Sequence, residues 1–198
     1  MKKSLLSKMV IPSVIFLFSL VYFTGVMDVP FHPDESTQIF MSEDVNLFLT
    51  RPSQLAYDPE NSENLRQKYR LLDPPLSRWF IGTTRIITRT PPLQSDWDWS
   101  KSWQENIQAG ALPDYKTLFI SRIAVCFVFP LLLYVAYKTG ETLHDRTTGW
   151  LTLALTAFNA LVLLHTRRAM SESLLLFFTW FSIFLMVQKK KPAWLLAI

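Results

Sequence analysis

From Met9 to Met27 the chain carries no charged residue. A helix of that length, rising about 1.5 Å per residue, crosses the roughly 30 Å hydrocarbon core of a bilayer. Lys2, Lys3 and Lys8 precede the run, as in a signal peptide. The run is long for a signal peptide and no small-x-small cleavage site follows it, so it reads as an uncleaved anchor with a cytoplasmic N-terminus. Further apolar stretches lie at 118–137, 149–164 and 173–187, and another starts at 192. The expectation is an all-α integral membrane protein with several spans and a large outer loop, 28–117.

Composition agrees. Phe 15 and Trp 7 against Gly 5 suit membrane helices. Apart from Glu141, Asp145 and Glu172, every acid lies between Asp28 and Asp114. The net charge of +4 therefore reflects Lys and Arg flanking the spans and gives no argument for nucleic acid. The single cysteine, Cys126, makes no intramolecular disulfide and its spacing offers no metal site.

The outer loop has a pattern of its own. Between Glu35 and Leu49 apolar residues recur at Ile39, Phe40, Val45, Leu47, Phe48 and Leu49, which predicts a helix lying on an apolar surface. Residues 51–70, with Pro52 and Pro59, read as a surface loop. Pro74 and Pro75 stiffen the start of a second amphipathic helix. Leu76, Trp79, Phe80, Ile86 and Ile87 take one face of it, and Arg78, Arg85 and Arg89 another, turned to water or lipid phosphate. Trp97, Trp99 and Trp103 suit the headgroup level. Arg122 is expected near the interface, where it can snorkel, and Pro130 is expected to kink the second span.

If the spans alternate, the positive-inside rule puts the N-terminal lysines, the Lys138–Arg146 link and Lys189–Lys191 on one side. The large loop and the turn His165–Glu172 then face outward. Arg167 and Arg168 sit on the side the rule disfavours and ask for a partner. A phosphate gripped bidentately is one answer; Glu172 or lipid headgroups are the other.

The stretch His32-Pro33-Asp34-Glu35-Ser36 places two adjacent carboxylates just outside the first span. It has a structural reading, since Pro33 followed by acids opens a helix favourably. It also has a chemical one. Sugar transfer from a lipid-linked phosphate needs a carboxylate to take the acceptor hydroxyl's proton, fixed cations behind the leaving phosphate, and a site at the interface. A carboxylate also stabilises oxocarbenium character, and one opposite the leaving group inverts the anomeric centre.

Three motifs resemble those of the GT-C-fold, polyprenyl-phosphate-sugar-dependent glycosyltransferases, in particular the protein O-mannosyltransferases and the aminoarabinose transferases of lipid A. Pro33-Asp34-Glu35 is similar to the family's acidic pair. Asp73-Pro74-Pro75-Leu76-Ser77-Arg78 resembles the mannosyltransferases' His-Pro-Pro-Leu-small-Lys segment. Thr166-Arg167-Arg168-Ala169-Met170-Ser171-Glu172 is similar to the family's Ser-Arg turn with a following acid. The resemblance implies a GT-C-type multi-span helical bundle. It implies Asp34 as catalytic carboxylate with Glu35 beside it, Arg167 as a donor-phosphate contact, Arg78, the basic position after the double proline, as another, and Glu172 as the second acid. His165 and Arg168 join the phosphate side by proximity. Asp73 replaces the mannosyltransferases' histidine, which leaves the acceptor open among protein, lipid and glycan. The implied partners are a polyprenyl-phosphate sugar and membrane lipids. Family members have more spans, so 1–198 is expected to be the N-terminal part of such a module. No Asn-x-Ser/Thr sequon supports an ER setting, and a prokaryotic plasma membrane is expected.

Asp96-Trp97-Asp98 has the spacing of a metal-binding DxD, but without a nucleotide-binding framework. No cofactor is assigned; divalent metal use varies across the superfamily, and no ligand set stands out here. His144 lies in the link expected on the cytoplasmic side. The alternative to a transferase is a non-enzymatic membrane protein, a transporter segment or an assembly scaffold. A transporter would show polar or broken positions at mid-membrane, which apart from Pro130 these spans show little of.

Overall fold

The computed structural model describes residues 5–188. Lys2, Lys3, Lys189–Lys191 and the apolar run starting at 192 lie outside the described residues, as do the side chains of 5–8. Among the described residues there are helices and no strand. In chain order they are α1 (Leu5–Thr24), α2 (Pro33–Met41), α3 (Asp44–Thr50), α4 (Leu65–Leu72), α5 (Pro75–Ile87), α6 (Trp103–Gln108), α7 (Tyr115–Cys126), α8 (Phe129–Leu143), α9 (Arg146–Ala157), α10 (Ala160–Thr166) and α11 (Glu172–Val187). Among the described residues they group into two units: Val26–Cys126 with Arg167–Ser171, and α1 with Phe127–Thr166 and α11.

The first unit is the expected outer loop, folded on α7. Its core is Ile39, Phe40, Met41, Ile81, Leu93, Ala124, Val125 and Ala169, with Tyr69 and Leu118 against it. The helix expected over 35–49 breaks after Met41 and restarts as α3. The break lets α5 come close: a Cβ on Gly82 would sit 2.9 Å from the Val45 Cβ, so only glycine fits there. The stretch 51–70, read as a loop, contains most of α4, started by Asn64 capping the Gln67 N–H. Arg78 and Arg85 do not turn outward; each is 4% exposed. Interior acids explain this. Arg78 lies 3.6 Å from Asp44 and Arg85 3.9 Å from Glu43, and Arg85 also donates to the Thr90 and Pro91 carbonyls. Burial nevertheless lowers both guanidinium pKa values, that of Arg85 to about 10. Arg89 ends α5 with φ 54°, a left-handed cap usually given to glycine. Trp97 is buried against Phe31 and Trp103, whereas Trp99 is exposed.

In the second unit α8 packs against α9, α11 and α1. Tyr22 stacks on Phe129 with ring centroids 3.7 Å apart, and its hydroxyl donates to Thr166 Oγ1 at 3.0 Å. Gly140 and Gly149 let α8 and α9 approach closely; a Cβ on Gly149 would meet the Tyr137 carbonyl oxygen at 2.9 Å. Pro130 falls in the first turn of α8, where its missing N–H has no partner to lose. By length and composition, one helix among the described residues, Tyr115–Leu143, can cross a membrane. The expected span 149–164 is broken: α9 and α10 meet at 59° and pass the same test only as a pair. Asn159 starts α10 by accepting from the Leu161 and Val162 N–H groups.

Candidate active site

Pro33 at the first position and His32 as N-cap start α2 at the acidic pair. His32 Nδ1 accepts from the Asp34 N–H at 3.2 Å, and Glu35 Oε2 accepts from the His32 N–H at 3.0 Å. This reciprocal cap is the helix-opening reading of the motif, and it sends the two acids in different directions. About 100° of helix rotation separates adjacent residues. Asp34 keeps half its side chain exposed, with Oδ2 3.5 Å from His32 Nδ1. Glu35 is fully buried.

Glu35 is held by Arg122. Nε and Nη2 donate to its two oxygens at 2.8 Å each, the fork-on-carboxylate geometry. The other N–H groups go to the carbonyls of Val26 at 2.9 Å, Val29 at 3.0 Å and Pro30 at 3.4 Å. Every guanidinium donor is used, at 1% side-chain exposure. Arg122, expected to snorkel, is thus a buried anchor for the chain leaving α1. A charge inside an apolar run was the signal for it: such a residue demands an acid, wherever the sequence keeps one.

Glu35 Oε1 also accepts from the Ala169 N–H at 2.8 Å, which fastens the 167–171 segment to the N-terminal end of α2. Arg168 Nε donates to the Pro30 carbonyl at 3.3 Å. Ser171 Oγ lies 3.0 Å from Ser77 Oγ, and Ser77 Oγ donates to Gln38 Oε1 at 2.6 Å. The acidic motif, the double-proline segment and the Arg167–Ser171 turn are therefore joined by side chains within one unit. Ser77 and Ser171 were not singled out from sequence, because a serine gives no signal until its neighbour is known.

Asp73 caps the C-terminal end of α4, Pro74 is the N-cap of α5, and Pro75 is its first residue. Burial raises the Asp73 pKa; the Arg78 charge opposes this and the Asp96 and Asp34 charges add to it. Arg78 Nη1 reaches the Tyr69 carbonyl only at 3.5 Å, and its buried Nε has no hydrogen bond. Arg167 is half-buried. His165, in the last turn of α10, and Glu172, the first residue of α11, belong to the second unit. His165 Nδ1 and Glu172 Oε2 are buried without a hydrogen-bond partner. Among the described residues no group of three or more His, Cys, Asp or Glu side chains is arranged to hold a metal ion.

The all-helical build and the span-length apolar helix are those of an α-helical membrane protein. Residues 65–198 match the dolichyl-phosphate-mannose-protein mannosyltransferase family, and the chain belongs to it. It is similar to the dolichyl-phosphate-mannose–protein mannosyltransferase 6 of Candida albicans, with 28% identity over 124 residues. That alignment covers 62% of this chain and 14% of the relative, so the chain spans a small part of that protein's length. No solved structure matches.

Proposed function

We propose that this chain carries the catalytic loops of a membrane mannosyltransferase, moving the sugar from a polyprenyl-phosphate donor of the dolichyl type to a hydroxyl of a protein acceptor. The reaction takes place on the outer face of the membrane, within a GT-C-type multi-span bundle. Asp34 is the base that takes the acceptor's proton. Its partial exposure on a rigid helix terminus leaves it free to meet a hydroxyl. Attack from the face opposite the phosphate inverts the anomeric carbon. Arg167 and Arg168 meet the leaving phosphate, whose charge builds as the glycosidic bond breaks. Glu35 touches no substrate; it holds the arginine segment against the helix that carries Asp34. Arg78 and the double proline set the frame of α5, and His165 and Glu172 flank the arginine turn in sequence.

The observation that carries this reading is the Glu35 bridge. One buried carboxylate binds Arg122 and the Ala169 N–H while its neighbour Asp34 stays accessible. The test is transfer of radiolabelled mannose from a polyprenyl phosphate to a peptide acceptor by membranes containing the full chain. Asp34→Asn is expected to lower the rate by about 10²–10⁴ while the protein still inserts. Unchanged transfer in Asp34→Asn would return the acid to helix opening alone. Absence of transfer by the unaltered chain would favour a scaffold.

A further inference from the structure

Asp96 belongs to a motif that the proposed reaction leaves unused, and it is 8% exposed. Its Oδ1 accepts from Thr37 Oγ1 at 2.9 Å and its Oδ2 from the Tyr69 hydroxyl at 2.7 Å. The Trp97 N–H donates to the same carboxylate. Thr37 stands three residues after Asp34 on α2, on the same face of the helix. Tyr69 is on α4, just ahead of the Asp73 cap. Asp96 thus ties together the helix that carries the exposed acid, α4, and the loop 88–102. Tyr69 and Asp96 also line a cavity of about 670 Å³ with Phe40, Trp97 and Trp99, which gives the carboxylate a route to solvent.

We infer that Asp96 is a positioning residue for the transfer: it fixes the Asp34-bearing face of α2 through two hydroxyl hydrogen bonds that its ionised carboxylate accepts together. This rests on the reading of Asp34 as the base. A protonated Asp96 carries a hydrogen on one oxygen and loses part of that acceptance. The charges around it are Asp34 from α2, Arg66 from α4 and Asp73 at the α4 terminus, together with the Tyr69 hydroxyl. Burial raises the Asp96 pKa from its ordinary value. The Tyr69, Thr37 and Trp97 hydrogen bonds oppose that rise, and the Asp34 charge adds to it. Asp96 therefore takes up its proton at a higher pH than an exposed aspartate, and transfer loses its positioning as the pH falls through that point.

The experiment measures transfer against pH in membranes carrying the unaltered chain, Asp96→Asn and Tyr69→Phe, with tryptophan fluorescence followed over the same pH range. Asp96→Asn is expected to lower kcat at neutral pH by up to about 10²-fold, the cost of a misplaced reacting group. Its profile should lack the acid-side fall that Asp96 imposes on the unaltered chain. Tyr69→Phe, which keeps the ring and removes one donor, should lower kcat in the same direction with the donor KM unchanged. The fluorescence transition reported by Trp97 should vanish in Asp96→Asn. A profile in Asp96→Asn parallel to that of the unaltered chain at every pH would overturn the inference, as would an unchanged kcat in Tyr69→Phe. Absence of transfer by the unaltered chain would overturn the transferase reading, a result distinct from either.

Discussion

Two buried ion-pair centres lie at the two ends of α2, and they are built differently. At the N-terminal end one arginine meets one acid: Arg122 spends all its N–H groups, and Glu35 also accepts from the His32 and Ala169 amides. Past the C-terminal end Asp44 is shared. Arg70 takes it through Nε and Nη2, with the shortest contact at 2.7 Å, and Arg78 is left 3.6 Å away with an unbonded Nε. Burying charge is repaid when every donor finds an acceptor and is a liability when one does not. The first centre therefore specifies how three segments assemble, and the second mainly neutralises cations that α4 and α5 bring inside.

That contrast can be broken most directly at Arg122. Arg122→Met leaves Glu35 buried without its cation and should destabilise the fold by about 3–5 kcal/mol. It should also expose the Arg167–Ser171 segment to proteolysis, read by denaturant unfolding and by limited digestion in detergent. A loss below 1 kcal/mol would put the two centres on the same footing. Arg78→Met makes the opposite comparison. It removes a poorly paired charge and keeps the aliphatic stem, so the change should stay within about 1.5 kcal/mol, of either sign. A loss as large as that of Arg122→Met would show the Asp44 centre to be as tightly specified as the other. The smallest effect lies outside both centres: Arg89→Gly relieves the left-handed backbone that ends α5. It should stabilise by up to about 1 kcal/mol, seen as a higher midpoint with an unchanged m-value.

Much of the local structure was legible in the sequence because it depends on near neighbours. Pro33, Pro75 and the N-cap Asn64 start helices by chemistry contained in a few residues. The amphipathic pattern from Leu76 to Ile87 located α5, but the direction its arginines face was misread. Periodicity shows that two faces differ and does not say which of them is covered, and the acids that draw Arg78 and Arg85 inward come from Glu43 and Asp44. The break in the third expected span had one local sign, Asn159 within the apolar run, which caps the N–H groups of Leu161 and Val162. Asp96 was set aside as a metal-motif look-alike; its partners Thr37 and Tyr69 lie 59 and 27 residues away.

Hydrophobic run lengths and prolines determined by themselves that this is a helical membrane chain. Those properties follow from transfer of side chains to hydrocarbon and from local backbone sterics, neither of which needs a tertiary partner. Only the tertiary structure decided how differently Asp34 and Glu35 are buried. The two are adjacent in sequence and equally acidic, and what separates them is an arginine 87 residues beyond Glu35 that buries one and leaves the other to solvent.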